Sequence, residues 1–333
     1  YKEINQDNLD DTASKITAWA WIKNRDATDS HVLVDRVRGV GEVLHSNETA
    51  AEATEPNTVQ RFLQRGVQVG SDVQVNTANE SYVLWQWLLG DSATTGSTTS
   101  PAGTIASTSI AADAGHLSIG TYTGTGANGT VGHGLTAAPE FVNVKQLNST
   151  ASWSALIPAL GNSNAIYLNL SNAAQSVGTA YWQNTDPTSS VFSIGTDNAV
   201  NGSSSTYLFQ CFRSVPGVCK IGSYIGNGNA NGPYISVGFK PSFIMIKRSV
   251  GGTGDWNILD TSREPFNDAN PLVLRANLTT ADEAGSIGDF DILSDGFKIK
   301  AVSANANTAS STYIYIAMAD IGGNGTLPPV YGR

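Results

Sequence analysis

With 34 glycines, 12 prolines and only 14% charged side chains in 333 residues, the chain is too polar and turn-rich for a helical bundle, whose solvent faces are normally filled with Lys, Glu, Arg and Gln. A formal charge of −9 and a pI near 4.8 exclude a nucleic-acid binder, which needs a basic face to displace counterions from phosphate. No run of 18 apolar residues is present, so insertion into a membrane as a helix is not expected.

The length fits two or three domains of about 100 to 150 residues, and the elements predicted along the chain fall into three similar sets. Module one is assigned to residues 1–90. Its Trp19-Ala-Trp21-Ile-Lys23 reads as a strand ending in lysine, Val43-Leu-His-Ser-Asn47 as an apolar middle segment, and Tyr82-Val-Leu-Trp85-Gln-Trp87 as a closing strand. Tyr1 to Ile4 stand where the later modules have an opening strand, and a helical turn or two is predicted near 57–64. A chain beginning at Tyr1 is expected to be a fragment or a processed product.

Residues 91–115 are expected to be a linker, because Gly90 to Gly103 is a Ser/Thr/Gly tract with almost no apolar residue. Module two, 116–216, opens on Ile119-Gly-Thr-Tyr122-Thr-Gly124. It continues through Phe141-Val-Asn-Val144-Lys145 and Tyr167-Leu-Asn-Leu-Ser-Asn172 to Tyr207-Leu-Phe-Gln-Cys211.

Module three, 217–322, repeats the opening as Ile221-Gly-Ser-Tyr224-Ile-Gly226 and the lysine strand as Phe243-Ile-Met-Ile246-Lys247, both at an offset of 102 (221 − 119 and 243 − 141). Leu272-Val-Leu-Arg-Ala-Asn277, a second helical turn near 279–284, Phe297-Lys-Ile-Lys-Ala-Val302 and Tyr313-Ile-Tyr-Ile-Ala317 follow, and 323–333 form a tail. The interval from the middle-segment Asn to the closing Tyr is 35 residues from Asn47, 35 from Asn172 and 36 from Asn277.

Short β-branched and aromatic runs, punctuated by Gly, Pro, Asn and Asp every eight to twelve residues or so, predict an all-β chain of three tandem β-sandwich modules, jelly-roll or immunoglobulin-like. Modules two and three, joined by a short stretch from Cys211 to Lys220, are expected to pack as a pair. Module one is expected to be set more freely.

The chemistry-bearing residues predict neither catalysis, nor a metal site, nor a cofactor. No G-x-S-x-G elbow occurs, and His31, His45, His116 and His133 are scattered without metal-ligand spacing, so surface histidines are expected. Asp35-x-x-Arg38 and Asp260-x-x-Arg263 recur in two modules, which favours a salt bridge tying loop to strand over a catalytic carboxylate. The segments 124–129 and 226–232 hold no carboxylate, so tight turns are expected and calcium loops are not.

Trp19, Trp21, Trp85 and Trp87 alternate with other residues, pointing each pair to one strand face. Packing inside or between modules is the reading, with a sugar-stacking surface as the alternative. Trp153, Trp182 and Trp256 fall in loop-like contexts and are the candidates for a ligand-facing role. Cys211 and Cys219 flank Pro216-Gly217 and either close a small disulfide loop or lie as two buried thiols.

The phrases Trp21-Ile-Lys-Asn-Arg25, Asp35-x-x-Arg38-Gly39, Ser46-Asn-Glu-Thr-Ala-Ala-Glu52 and Tyr82-Val-Leu-Trp-Gln-Trp87, with Ile119-x-x-Tyr-Thr-Gly124 opening the next unit, resemble a tandem module of tail-fibre-like virion proteins from tailed, especially marine, bacteriophages. Module two departs from that pattern, lacking Asn-Arg after Lys145 and the Asp-x-x-Arg pair. The resemblance implies a structural virion protein: a tail fibre, spike or head fibre with a host-surface binding role, located on the particle. Other virion proteins, further copies of the chain and a host-surface glycan are its implied partners. A carbohydrate-binding adhesin array and a capsid decoration protein are the alternatives.

Overall fold

In the computed structural model the chain is all-β, with multiple antiparallel sheets arranged as sandwich modules. Residues 2–5, 16–63, 66–89, 98–100, 102–264, 267, 271–284, 290–300 and 302–320 are described. The expected tail 323–333 and residues 91–97 and 101 of the expected linker lie outside them.

One strand order recurs. In module two the opening strand Leu117–Thr123 lies beside the closing strand Thr206–Phe212, then the lysine strand Phe141–Gln146, then Ser154–Leu156 and Asn164–Tyr167. Module three repeats this with Cys219–Ile225, Thr312–Met318, Phe243–Val250, Trp256–Asp260 and Leu272–Arg275. Module one keeps Tyr82–Leu88, Thr17–Asn24 and Val32–Asp35, and a bridge from Leu33 to Leu44 leads on to Glu42–Val43. The register also repeats: Lys23 opposes Val83, Lys145 opposes Leu208 and Lys247 opposes Ile314, each partner following the closing-strand tyrosine.

A smaller sheet covers one face of each main sheet: Gly66–Val69 between Lys2–Asn5 and Val59–Leu63, Gly129–Gly132 with Val191–Ile194, and Gly296–Ile299 between Tyr234–Ser236 and Phe290–Leu293. Three module cores result. Ala20 and Ile22 pack with Val67, Val142 and Val144 with Phe192, and Ile244 and Ile246 with Phe297.

The opposite faces meet in a common core containing Trp19, Trp21, Trp85, Phe141, Phe243 and Met245. Main-sheet strands are therefore apolar on both faces, which antiparallel sheets with one wet face are not. The mutual burial of these aromatic faces locks module one to the other two, correcting the expectation that it sits freely.

Several local expectations are also corrected. Within the supposed linker, Thr98–Ser100 and Ser107–Ala111 are strands, the latter pairing with Leu117–Thr123. Neither predicted helical turn forms: Val59–Leu63 pairs with Gly66–Val69, covering a module core, and Glu283–Ala284 pairs with Leu272–Val273. Lys2–Asn5 belongs to the small sheet, paired with Gly66–Val69, and does not replace the opening strand.

Among the described residues the α-helical turns lie at Val73–Asn76 and Asn198–Asn201, where Asp72 and Asp197 accept the backbone N–H two residues on, and a 3-10 turn lies at Pro158–Leu160. Tyr82 and Tyr207 donate their hydroxyls to the Val73 and Asn198 carbonyls, and Tyr313 does the same to Ala304. The glycine of each Ile-Gly-x-Tyr opening is required by close approach: a Cβ at Gly120 would collide with the Phe209 ring, and one at Gly222 with the Tyr315 ring.

Candidate functional site

The three modules close into a ring, and the same small set of groups holds each seam. His31, Trp153 and Trp256 are equivalent, because the backbone N–H of each donates to the side-chain oxygen of a middle-segment asparagine: Asn47, Asn169 and Asn277. Asn169 therefore replaces Asn172 as the counterpart in module two. Each of the three rings then reaches into the neighbouring module. Trp153 Nε1 donates to the His45 carbonyl at 2.9 Å, Trp256 Nε1 to Tyr167 at 2.8 Å, and His31 Nε2 meets Arg275 at 3.0 Å. Two, three and one thus grip one, two and three in turn, a heterologous contact that closes after three steps.

Backbone bonds repeat the cycle. Glu52 N–H donates to Leu147, Ala174 to Ser249 and Asp282 to Arg25, at 2.8, 3.0 and 2.8 Å. Lys145 Nζ donates to the Thr49 carbonyl and Lys247 Nζ to Ser171, each across a seam, whereas Lys23 Nζ donates to Asn24 and Ala27 of its own module. The seam joining modules three and one carries charge instead: Arg25 pairs with Asp282, Asp282 with Arg263, and Trp85 Nε1 donates to Asp260. The repeated Asp-x-x-Arg pairs are the expected salt bridges, with Arg263 Nε 2.6 Å from Asp260 and Arg38 Nε beside Asp35.

Burial shifts the ionisable seam groups. The Trp21 indole donates to His31 Nδ1, so the remaining proton sits on Nε2. Burial chiefly, with nearby Lys23 adding to it, lowers the His31 value to about 3. Desolvation also brings Lys247 down to about 7 and Lys23 and Lys145 to about 8, with carboxylates such as Asp255 and Asp29 opposing the change. Below their ordinary 10.5 the unfolded chain holds more protons than the folded one, so these lysines make stability rise with pH from about 7 to 10.5. Urea midpoints are expected to increase between pH 7.5 and 9, before tyrosine ionisation intervenes, and Lys247→Met is expected to flatten that rise.

The seams converge on an axial cavity of about 20 Å³. Directly opposed cross-strand pairs line it: Trp19 with Trp87, Phe141 with Phe212 and Phe243 with Met318, one pair from each module. The two tryptophans stack at 3.9 Å.

The candidate ligand-facing residues Trp153, Trp182 and Trp256 are 0%, 0% and 1% exposed, so none offers a face to a sugar. Two are seam pins, and Trp182 fills the core of module two. Each reads as loop only because its strand is short or absent. His31, His116 and His133 are buried as well, contrary to the surface expectation.

Cys211 and Cys219 are free, buried thiols packed in different clusters, one in the core of module two and one in the common core. Burial raises both thiols, Cys219 to about 12. A thiol reagent such as dithionitrobenzoate is expected to leave both unreacted until the chain is unfolded. Among the described residues no cluster of His, Cys, Asp and Glu could hold a metal ion.

A family model described as a domain of unknown function (DUF7483) matches residues 10–321. The chain belongs to this family. No curated protein and no solved structure matches it. The match runs through the residues of all three modules described above.

The sequence reading missed His31 as the third pin, its ring standing where the other modules carry tryptophan. It also missed a legible signal: Asn76, Asn201 and Asn307 each precede the closing tyrosine by six residues. Asn201 and Asn307 tie the helical turn or its counterpart to the loop after the opening strand, and Asn76 bonds the Gly70 carbonyl.

Proposed function

We propose that the chain is a structural protein of a tailed-bacteriophage virion, a rigid unit of a tail fibre, spike or head fibre that contacts the host surface. The observation that carries this reading is the interlocked ring. Three modules pinned by buried bonds form a stiff body, suited to transmitting and presenting a contact surface, and the module phrases resemble those of virion fibres. The loops 125–128 and 227–231 are exposed in modules two and three, and the second is held in shape by its own asparagines, Asn227 Nδ2 donating to the Asn231 carbonyl and Asn227 Oδ1 accepting from Asn229 N–H, which suits a fixed contact surface. Other virion proteins, further copies of the chain and a host glycan are the partners this role needs.

The test is location. Gold-labelled antibody against the chain, imaged on purified particles of the phage that encodes it, is expected to decorate an appendage. Absence of the chain from such particles by mass spectrometry would overturn the reading.

A further inference from the structure

Module two breaks the symmetry of the axis. At one level of the ring the opposed pairs are Trp21 with Trp85 in module one and Met245 with Ile316 in module three, but Asn143 with Gln210 in module two. Both amides are 2% exposed and line the axial cavity, as does Trp19. Asn143 Nδ2 donates to Gln210 Oε1 at 3.1 Å. Asn143 Oδ1, Gln210 Nε2 and Trp19 Nε1 are left with no partner in the protein.

Three such buried atoms, among aromatic rings and methionines, are costly unless something bonds to them. Interchanging the O and N of both amides changes which residue donates but leaves the tally of two donors and one acceptor.

We propose that this axial position is a hydroxyl-binding site. An sp³ oxygen accepts two hydrogen bonds and donates at least one, the complement of two N–H groups and one carbonyl oxygen. A cavity of about 20 Å³ admits a water, which needs roughly 10–15 Å³ of such space, and at most the hydroxyl end of a very small alcohol. The occupant joins module one, through Trp19, to module two, through Asn143 and Gln210. A hydrogen-bonded tie of this kind fixes the rotational setting of one module on the next, which the apolar pairs around it, being non-directional, do not.

The chain supplies its own control. Asn143→Met with Gln210→Ile installs the pair module three already carries at this level, in the same fold. Using ¹⁵N-labelled full-length protein, with the Trp19 indole signal assigned by Trp19→Phe, the Trp19 N–H is expected to show a cross-relaxation peak to water of the sign given by a long-lived bound molecule. The double variant is expected to lose it. A peak to the methyl of added methanol would assign the hydroxyl to the alcohol. No peak to either, together with a shift of the Trp19 signal under xenon pressure, would mark a dry apolar void and overturn the proposal without recourse to the variant.

Discussion

Trp256→Ala is expected to lower the free energy of unfolding by about 3–5 kcal/mol, the range for truncating a large buried aromatic. The side chain is 1% exposed, packs edge-on to Phe141 of module two at 6.2 Å and donates to the Tyr167 carbonyl. The substitution therefore removes a volume and a hydrogen bond at one seam. Trp153→Ala should behave alike, since it stands at the equivalent position against His45. Trp256→Phe separates the two contributions: it keeps most of the apolar volume but removes the indole hydrogen bond, and because the Tyr167 carbonyl still accepts from Leu170 N–H at 3.3 Å the cost should be about 0.5–1.5 kcal/mol. Urea denaturation followed by circular dichroism measures all three, and a loss below about 1 kcal/mol for Trp256→Ala would mean that the seam does not bear load.

Acidification from pH 6.5 to 3 is expected to destabilise the protein, with His31 the largest single histidine contributor. Its folded value of about 3 lies below the ordinary 6.5. The unfolded chain thus takes up a proton at this residue as pH falls through 6.5 while the folded chain does not, and stability contributed above 6.5 is lost down to about 3. A displacement of that size corresponds to about 4–5 kcal/mol. His116, lowered to about 4 by burial and Arg213, and His133, lowered by burial, act in the same direction. His31→Phe cannot take up a proton, so the slope of unfolding free energy against pH should become shallower by up to one proton. An unchanged slope would show that His31 is already open to solvent.

Much of this architecture is legible in the sequence, and the part that is not has a physical reason. The triplication, the lysine and closing strands and the Asp-x-x-Arg bridges all rest on contacts within a module or on a repeated spacing, exposed by the 102-residue offset between modules two and three and by the 35- or 36-residue interval from asparagine to closing tyrosine in all three. The ring rests on bonds such as His31 to Arg275 and Trp256 to Tyr167, between residues far apart in the chain, and no periodicity reports them.

Two-faced burial hides further detail. In Phe243-Ile-Met-Ile246, Phe243 and Met245 serve the common core while Ile244 and Ile246 serve the module core, and the run reads only as an apolar strand. Equal spacing misled once: Asn172 satisfied the interval, yet Asn169 holds the Trp153 amide. The axial Asn143 and Gln210 could not be singled out either, because their meaning comes from the tryptophans, methionine and isoleucine that occupy the same level elsewhere.

Closure of the cycle also limits how such a chain can evolve. In an open solenoid a repeat can be gained or lost, because each new unit stacks on the last and the ends stay as they were. Here deletion of one unit would bare two aromatic faces at once, and a fourth would have no vacant neighbour to grip. Copy number is therefore set by geometry, and variation between relatives should accumulate in the loops that cross no seam.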